Sequence, residues 1–133
     1  MSKLVYIAGP YTAETHSLIE HNINVARTAA IWCAEHEIHY FCPHLNTAHF
    51  EFWAPKVSRY FYYEMDLNIL RRCDAILLLA NWETSIGSRV EQEVAELLDL
   101  RRFEWPADLT KLHKWAKENN EADKSLRDSQ RIP

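Results

Sequence analysis

The sequence predicts an α/β domain built on a parallel sheet. Three observations lead there. Two short, unbroken apolar runs, at residues 4–8 and 75–79, read as strands buried on both faces. Stretches with helical spacing of apolar residues alternate with these runs, the signature of right-handed βαβ units. The chain has only two glycines, Gly9 and Gly87, against the roughly nine that average usage gives, and both follow strand-like runs. Each is expected where a side chain cannot be accommodated.

In chain order, the run at 4–8 is stopped by Gly9-Pro10. Residues 17–37 read as a helix carrying Leu18, Ile19, Ile23, Ala26, Ala30 and Cys33, with Ser17 and Glu20 at capping-box spacing. Residues 38–42 form a second strand ended by Pro43, and a polar, aromatic loop follows to residue 55. A helix is expected over 56–72, a third strand over 75–79, a loop over 81–86 and a helix over 87–101. Phe103-Glu104-Trp105 reads as a short edge strand. Residues 107–119 carry a further amphipathic pattern (Leu109, Leu112, Trp115, Ala116), and 120–133 a polar tail. One domain over 1–119 is expected, its ligand edge formed by the loops at 9–16, 43–55 and 80–86.

The 133 residues are 47% apolar and 26% charged, the balance of one soluble domain. No run approaches the ~18–20 apolar residues of a membrane span, and Met1-Ser2-Lys3 leads straight into a strand. Neither a leader nor a membrane partner is expected. A net charge of −4 and a pI near 6.0 speak against a nucleic-acid polymer as partner. Cys33, Cys42 and Cys73 are an odd set without a CxxC, which suits the cytoplasm. Seven histidines include His16 and His21, His36 and His39, and His44 and His49, but none forms H-E-x-x-H or joins a cysteine pair. No metal and no cofactor are expected.

Three residues are candidates for chemistry. Glu91 lies one turn into the helix after Gly87, where Ser85, Ser88 and backbone amides suit an anion. Ser88 and Glu91 also have capping-box spacing, so the carboxylate has two readings, a reactive group or a cap. Asp66 sits on the 56–72 helix with Tyr62, Tyr63, Ile69 and Leu70 one turn away, neighbours that raise a carboxyl pKa as a general acid requires. A plain hydrogen-bonded Asp is the alternative. Tyr6 lies near the ligand edge, and alternation does not fix which face it takes. Tyr11, His44, Asn46, Thr47 and Trp82 occupy the edge loops, and Trp82 suits stacking on a planar ring. Four consecutive aromatics, Tyr60-Phe61-Tyr62-Tyr63, span a whole helix circumference, so some are expected to meet a second subunit.

In order and spacing, Val5-Tyr6-Ile7-Ala8-Gly9-Pro10-Tyr11, Pro43-His44, Asp66-Leu67-Asn68-Ile69-Leu70, Cys73-Asp74-Ala75-Ile76 and Trp82 through Glu91 resemble the nucleoside 2-deoxyribosyltransferase superfamily, which includes the 2′-deoxynucleoside 5′-phosphate N-hydrolases. The resemblance covers about residues 4–100. It implies a three-layer, flavodoxin-like (Rossmann-like) sheet with helices on both faces, the last strand short or altered. It also implies cleavage or transfer of an N-glycosidic bond in a (deoxy)nucleoside or its 5′-monophosphate. Glu91 matches the family's nucleophile, Asp66 the aspartate that protonates or orients the leaving base, and Tyr6 the tyrosine that positions the nucleophile. Gly9, Pro10, Tyr11, Thr12, His44, Asn46, Trp82, Ser85, Gly87 and Ser88 are the expected substrate contacts.

Ser85 separates two branches of this family. Transferases of free nucleosides commonly carry aspartate there, and the nucleotide hydrolases a serine that accepts phosphate, since a carboxylate repels a dianion. The hydrolases' serine- and arginine-rich turn after the first strand is here Pro10-Tyr11-Thr12, leaving Thr12, Ser85 and Ser88 for the phosphate. The resemblance also implies a homodimer or dimer-based oligomer. Two other function classes compete: a non-catalytic nucleotide-binding or sensing module on the same fold, and a purely structural partner.

Overall fold

The computed structural model describes residues 2–129, the side chains of 119–128 excepted. Four strands, β1 (Leu4–Ala8), β2 (His39–Phe41), β3 (Ala75–Leu78) and β4 (Arg101–Glu104), form one sheet in the order β2-β1-β3-β4, every pair parallel. Tyr6 registers with Phe41 on one side and Ile76 on the other. This is the flavodoxin-like arrangement, ending at a four-residue edge strand.

Side chains of β1 and β3 alternate between two cores, which is why both strands read as unbroken apolar runs. Val5, Ile7, Ala75 and Leu77 pack with Ala26, Ala29, Ala30 and Cys33 of α1 (His16–Glu35) and with Leu112 and Ala116 of α6 (Leu109–Ser129). Tyr6, Ala8, Ile76 and Leu78 pack on the other face with Leu70 of α4 (Arg59–Leu70) and Ala95 of α5 (Ile86–Leu97). Two helices on each face give the three layers.

Several boundaries differ from the sequence expectations. Helix α1 begins one residue before Ser17, because extended Thr15 is the N-cap and its hydroxyl accepts the Leu18 amide; Ser17 and Glu20 are therefore no capping box. The stretch 43–55 holds two short helices, α2 (Pro43–Asn46) and α3 (Phe50–Trp53). Pro43 opens α2 at the one helical position where a missing N–H costs nothing. A 3-10 turn (Trp82–Thr84) interrupts the loop before α5. Helix α6 runs across residue 120 to Ser129 where a tail is expected; residues 117–129 contain no Gly or Pro to stop it. Residues 130–133 of that expected tail lie outside the described residues.

The two glycines differ. A Cβ on Gly9 would stand 2.8 Å from Leu79 Cβ and Cδ1, so the end of β1 needs its glycine to lie against the end of β3. At Gly87 the nearest atoms are Tyr63 Cε1 at 3.5 Å and Ser85 Oγ at 3.9 Å, ordinary contacts, and its φ is not positive. The expectation that a side chain is excluded there does not hold. Left-handed backbone falls instead to Glu37, His49, Asn81 and Asp99. Among the described residues no helix is long and apolar enough to cross a membrane.

Candidate active site

The chain leaves β1, goes to β2 on one side, then returns to β3 on the other, so the loops after β1 and β3 diverge at their carboxyl ends. Such a switch point opens a crevice. Here it is a cleft of about 850 Å³, walled by Gly9 through Thr12, by Pro43, His44 and Thr47, by one face of α4, and by residues 84–88, Val90 and Glu91.

Glu91 stands on the second turn of α5. The first turn of that helix is capped by Ser85, whose Oγ accepts the Ser88 amide at 3.2 Å, so Glu91 has no capping duty. Its Oε2 instead accepts a hydrogen bond from the hydroxyl of Tyr6, which is fully buried on the α4/α5 face of β1. Tyr6 is not a wall of the cleft; it reaches the site only through its bond to Glu91.

Asp66, on α4, lines the same cleft. Burial raises its carboxyl to about 6. Burial also lifts Glu91, to about 8; the bond from Tyr6 opposes this and the charge of Asp66 adds to it. Burial, then Glu91 and Asp66, push the Tyr6 phenol well above its usual range, so it stays a donor. Two carboxyls raised by burial, Glu91 also by the charge of Asp66, hold one proton between them near neutrality. The Tyr6 bond favours charge on Glu91 but does not bring its pKa below that of Asp66, so in the free cleft the shared proton rests on Glu91.

His44 is buried, and its Nε2 lies 2.8 Å from the Pro10 carbonyl, which can only accept. Nε2 therefore carries the proton. Burial lowers its pKa, outweighing the backbone bonds, so the ring is neutral and Nδ1 is an acceptor. His44 Nδ1, Tyr62 Oη, Asp66 Oδ1 and Ser88 Oγ are all buried without a hydrogen-bond partner among the described residues. All four residues line the cleft. An unmade buried bond costs about 1–3 kcal/mol, so these four atoms leave unmet hydrogen-bonding capacity along the cleft.

The other expected contacts divide. Gly9, Pro10, Tyr11, Thr12, Ser85 and Gly87 line the cleft. The Tyr11 hydroxyl donates to the Glu51 carboxylate at 2.9 Å and accepts the His49 amide at 3.0 Å, holding the 49–53 segment as a wall. Asn46 and Trp82 do not line it. Asn46 lies two residues beyond buried His44 on a four-residue helix, hence on another face, and is exposed. The 3-10 turn carries Trp82 onto the core beside Tyr6 and Leu78, where Arg102 covers its ring at 5.2 Å. It packs rather than stacks on a ligand.

Arg59, the first residue of α4, is a cleft residue that sequence spacing does not reveal. It makes no ion pair or side-chain hydrogen bond with any described residue. Only its place after the Ser58 cap, one turn before Tyr62 and Tyr63, hints at it. The structure also gathers His16, Glu20 and His49, which the histidine spacings leave apart.

A family model described as a domain of unknown function (DUF4406) matches residues 3–101. No curated protein matches the chain in sequence. Among solved structures, the chain resembles a 2-deoxyribosyltransferase from the psychrotolerant bacterium Bacillus psychrosaccharolyticus, with a TM-score of 0.56 at 17% identity over 76% of this chain and 70% of that one. It also resembles a 2-deoxyribosyltransferase from Leishmania mexicana, with a TM-score of 0.54 at 19% identity over 77% of this chain. This match spans 63% of the Leishmania chain, less than two thirds of its length. The fold is therefore shared with 2-deoxyribosyltransferases, as the sequence motifs imply.

Proposed function

The chain belongs to the DUF4406 family, and we propose that it breaks or transfers the N-glycosidic bond of a (deoxy)nucleoside or its 5′-monophosphate through a covalent glycosyl-glutamate. The observation that carries this reading is the Tyr6–Glu91 bond inside a cleft shared with Asp66. A capping glutamate has no use for a buried phenol, whereas a nucleophile gains a fixed direction from one.

In the first step a Glu91 oxygen attacks C1′ as the C1′–N bond breaks. The pair's one proton having moved from Glu91 to Asp66 on substrate binding, the bonding pair leaves with the base, whose nitrogen takes that proton from Asp66, and an acyl-linked sugar remains on Glu91. In the second step water or another base attacks C1′ from the opposite side and returns the pair to the Glu91 carboxylate. Asp66, now ionised, takes the proton from the attacking group. Two inversions give net retention. The unpartnered atoms of His44 and Tyr62 are suited to sugar hydroxyls and base edges.

Ser85 and Ser88 near the start of α5, with Thr12 and Arg59 on the walls, favour a 5′-phosphate over a free nucleoside. A homodimer is part of this reading: on α4 Tyr62 faces inward, while Tyr60 is 68% exposed and Phe61 53%. So is a reducing, cytoplasmic setting, since all three cysteines are free and buried.

The test is release of free base from a panel of nucleosides and monophosphates, with and without an acceptor base, resolved by chromatography. Base release that falls roughly 10³-fold or more in folded Glu91→Ala supports the reading. A preference for monophosphates that disappears in Arg59→Ala supports the phosphate. No base released from any substrate overturns the enzyme claim. Thermal stabilisation by an unaltered nucleotide would then favour a sensing module on the same cleft.

A further inference from the structure

Outside the Glu91 site, two imidazoles and a carboxylate converge where α1 meets α3. We propose that His16, Glu20 and His49 form a binding site for a zinc-class divalent transition metal, one that fastens the 49–53 wall of the cleft to α1. His16 and Glu20 stand four apart on the first turns of α1, hence on one face, with His16 Nε2 3.9 Å from Glu20 Oε1. His49 comes from the other segment and places its Nε2 2.6 Å from the same oxygen. The three donor atoms lie within 4.8 Å of one another. A tetrahedral zinc centre implies separations of roughly 3.3 Å, so binding an ion requires the exposed His16 ring to move in and His49 and Glu20 to part by a few tenths of an ångström.

Two further observations point to a built site rather than a chance surface pair. His49 adopts a left-handed backbone, φ 66°, uncommon outside glycine, and its amide is pinned by the Tyr11 hydroxyl. The strain and the anchor both fix the imidazole against α1. Phe52 lies edge-on to His16 at 5.5 Å and Trp53 edge-on to His49 at 6.0 Å, contacts that orient the two imidazole rings. Two imidazoles with one carboxylate select zinc, cobalt or nickel over magnesium or calcium. Three protein ligands leave a coordination position for water or a small ligand.

The probe is Zn²⁺ titrated calorimetrically into chelator-stripped protein, with Co²⁺ absorption as a coordination signature. One ion per chain is expected, with no uptake of Mg²⁺. His16→Ala, on an exposed side chain whose loss leaves the fold intact, and His49→Ala are each expected to weaken binding by at least the ~10–100-fold that an outer-shell loss costs. His113→Ala serves as the control, because His36 and His113 form a separate pair with ring centroids 5.0 Å apart; it is expected to leave binding unchanged. Absence of stoichiometric uptake overturns the proposal. So does uptake that survives His16→Ala, or that is lost in His113→Ala.

Discussion

In the proposed reaction Glu91 and Asp66 would carry opposite duties with the same functional group. A carboxylate nucleophile must be ionised and a general acid must hold its proton, so the reactive form of the pair carries a single proton, which has to pass from Glu91, where it rests in the free cleft, to Asp66 when substrate binds. Below about 6 both carboxyls are protonated and Glu91 cannot attack; above about 8 both are charged and the leaving base gets no proton. The expected kcat/KM profile is bell-shaped, with limbs near 6 and 8 that belong to the pair. In Asp66→Asn the alkaline limb should vanish and turnover should fall. A flat profile across this range would remove the shared proton from the account. Glu91 and Asp66 were legible as candidates from spacing and helical neighbours. The choice between a cap and a reactive group was not, because it depended on Ser85 taking the Ser88 amide and on the face chosen by Tyr6.

Among the elements, those defined by continuous burial were the most legible. Strands β1 and β3 are apolar throughout because each face meets a helix pair, and periodicity records that directly. Short elements held by single contacts were not: α2 and α3 depend on Pro43 and on the left-handed turn at His49. The glycines show the limit of composition. Scarcity marked both, yet only Gly9 is required by packing. Gly9→Ala is expected to destabilise the fold by about 1–3 kcal/mol through overpacking against Leu79. Gly87→Ala, in the first turn of α5, should be neutral or up to ~1 kcal/mol more stable. Chemical denaturation of both variants checks this, and equal losses would contradict it.

At the level of the whole molecule, the strand order put the cleft where the alternating pattern had placed the ligand edge. What escaped the sequence was which loop residues reach it. Trp82 and Asn46 sit in edge loops but turn to a core and to solvent, while Arg59 arrives from a helix. Such choices depend on long-range packing that spacing does not encode. The exposed aromatics Tyr60, Phe61 and Tyr63 on α4, with Phe52 at 59% and Trp53 at 74% exposure on α3, offer apolar surface that a second subunit would cover. A stable dimer covers about 800 Å² per partner. Light scattering at micromolar concentration should give twice the 15.7 kDa of one chain, and a monomeric mass would contradict the dimer.

The direct test of the account is whether a sugar becomes bonded to the Glu91 side chain. Acid-quenching the protein during turnover and mapping its peptides by mass spectrometry should find a (deoxy)ribosyl or phosphoribosyl-type adduct on Glu91, absent in Glu91→Gln. Turnover that proceeds with no adduct, or that continues at the wild-type rate in Glu91→Gln, would show that the bond is broken by other means.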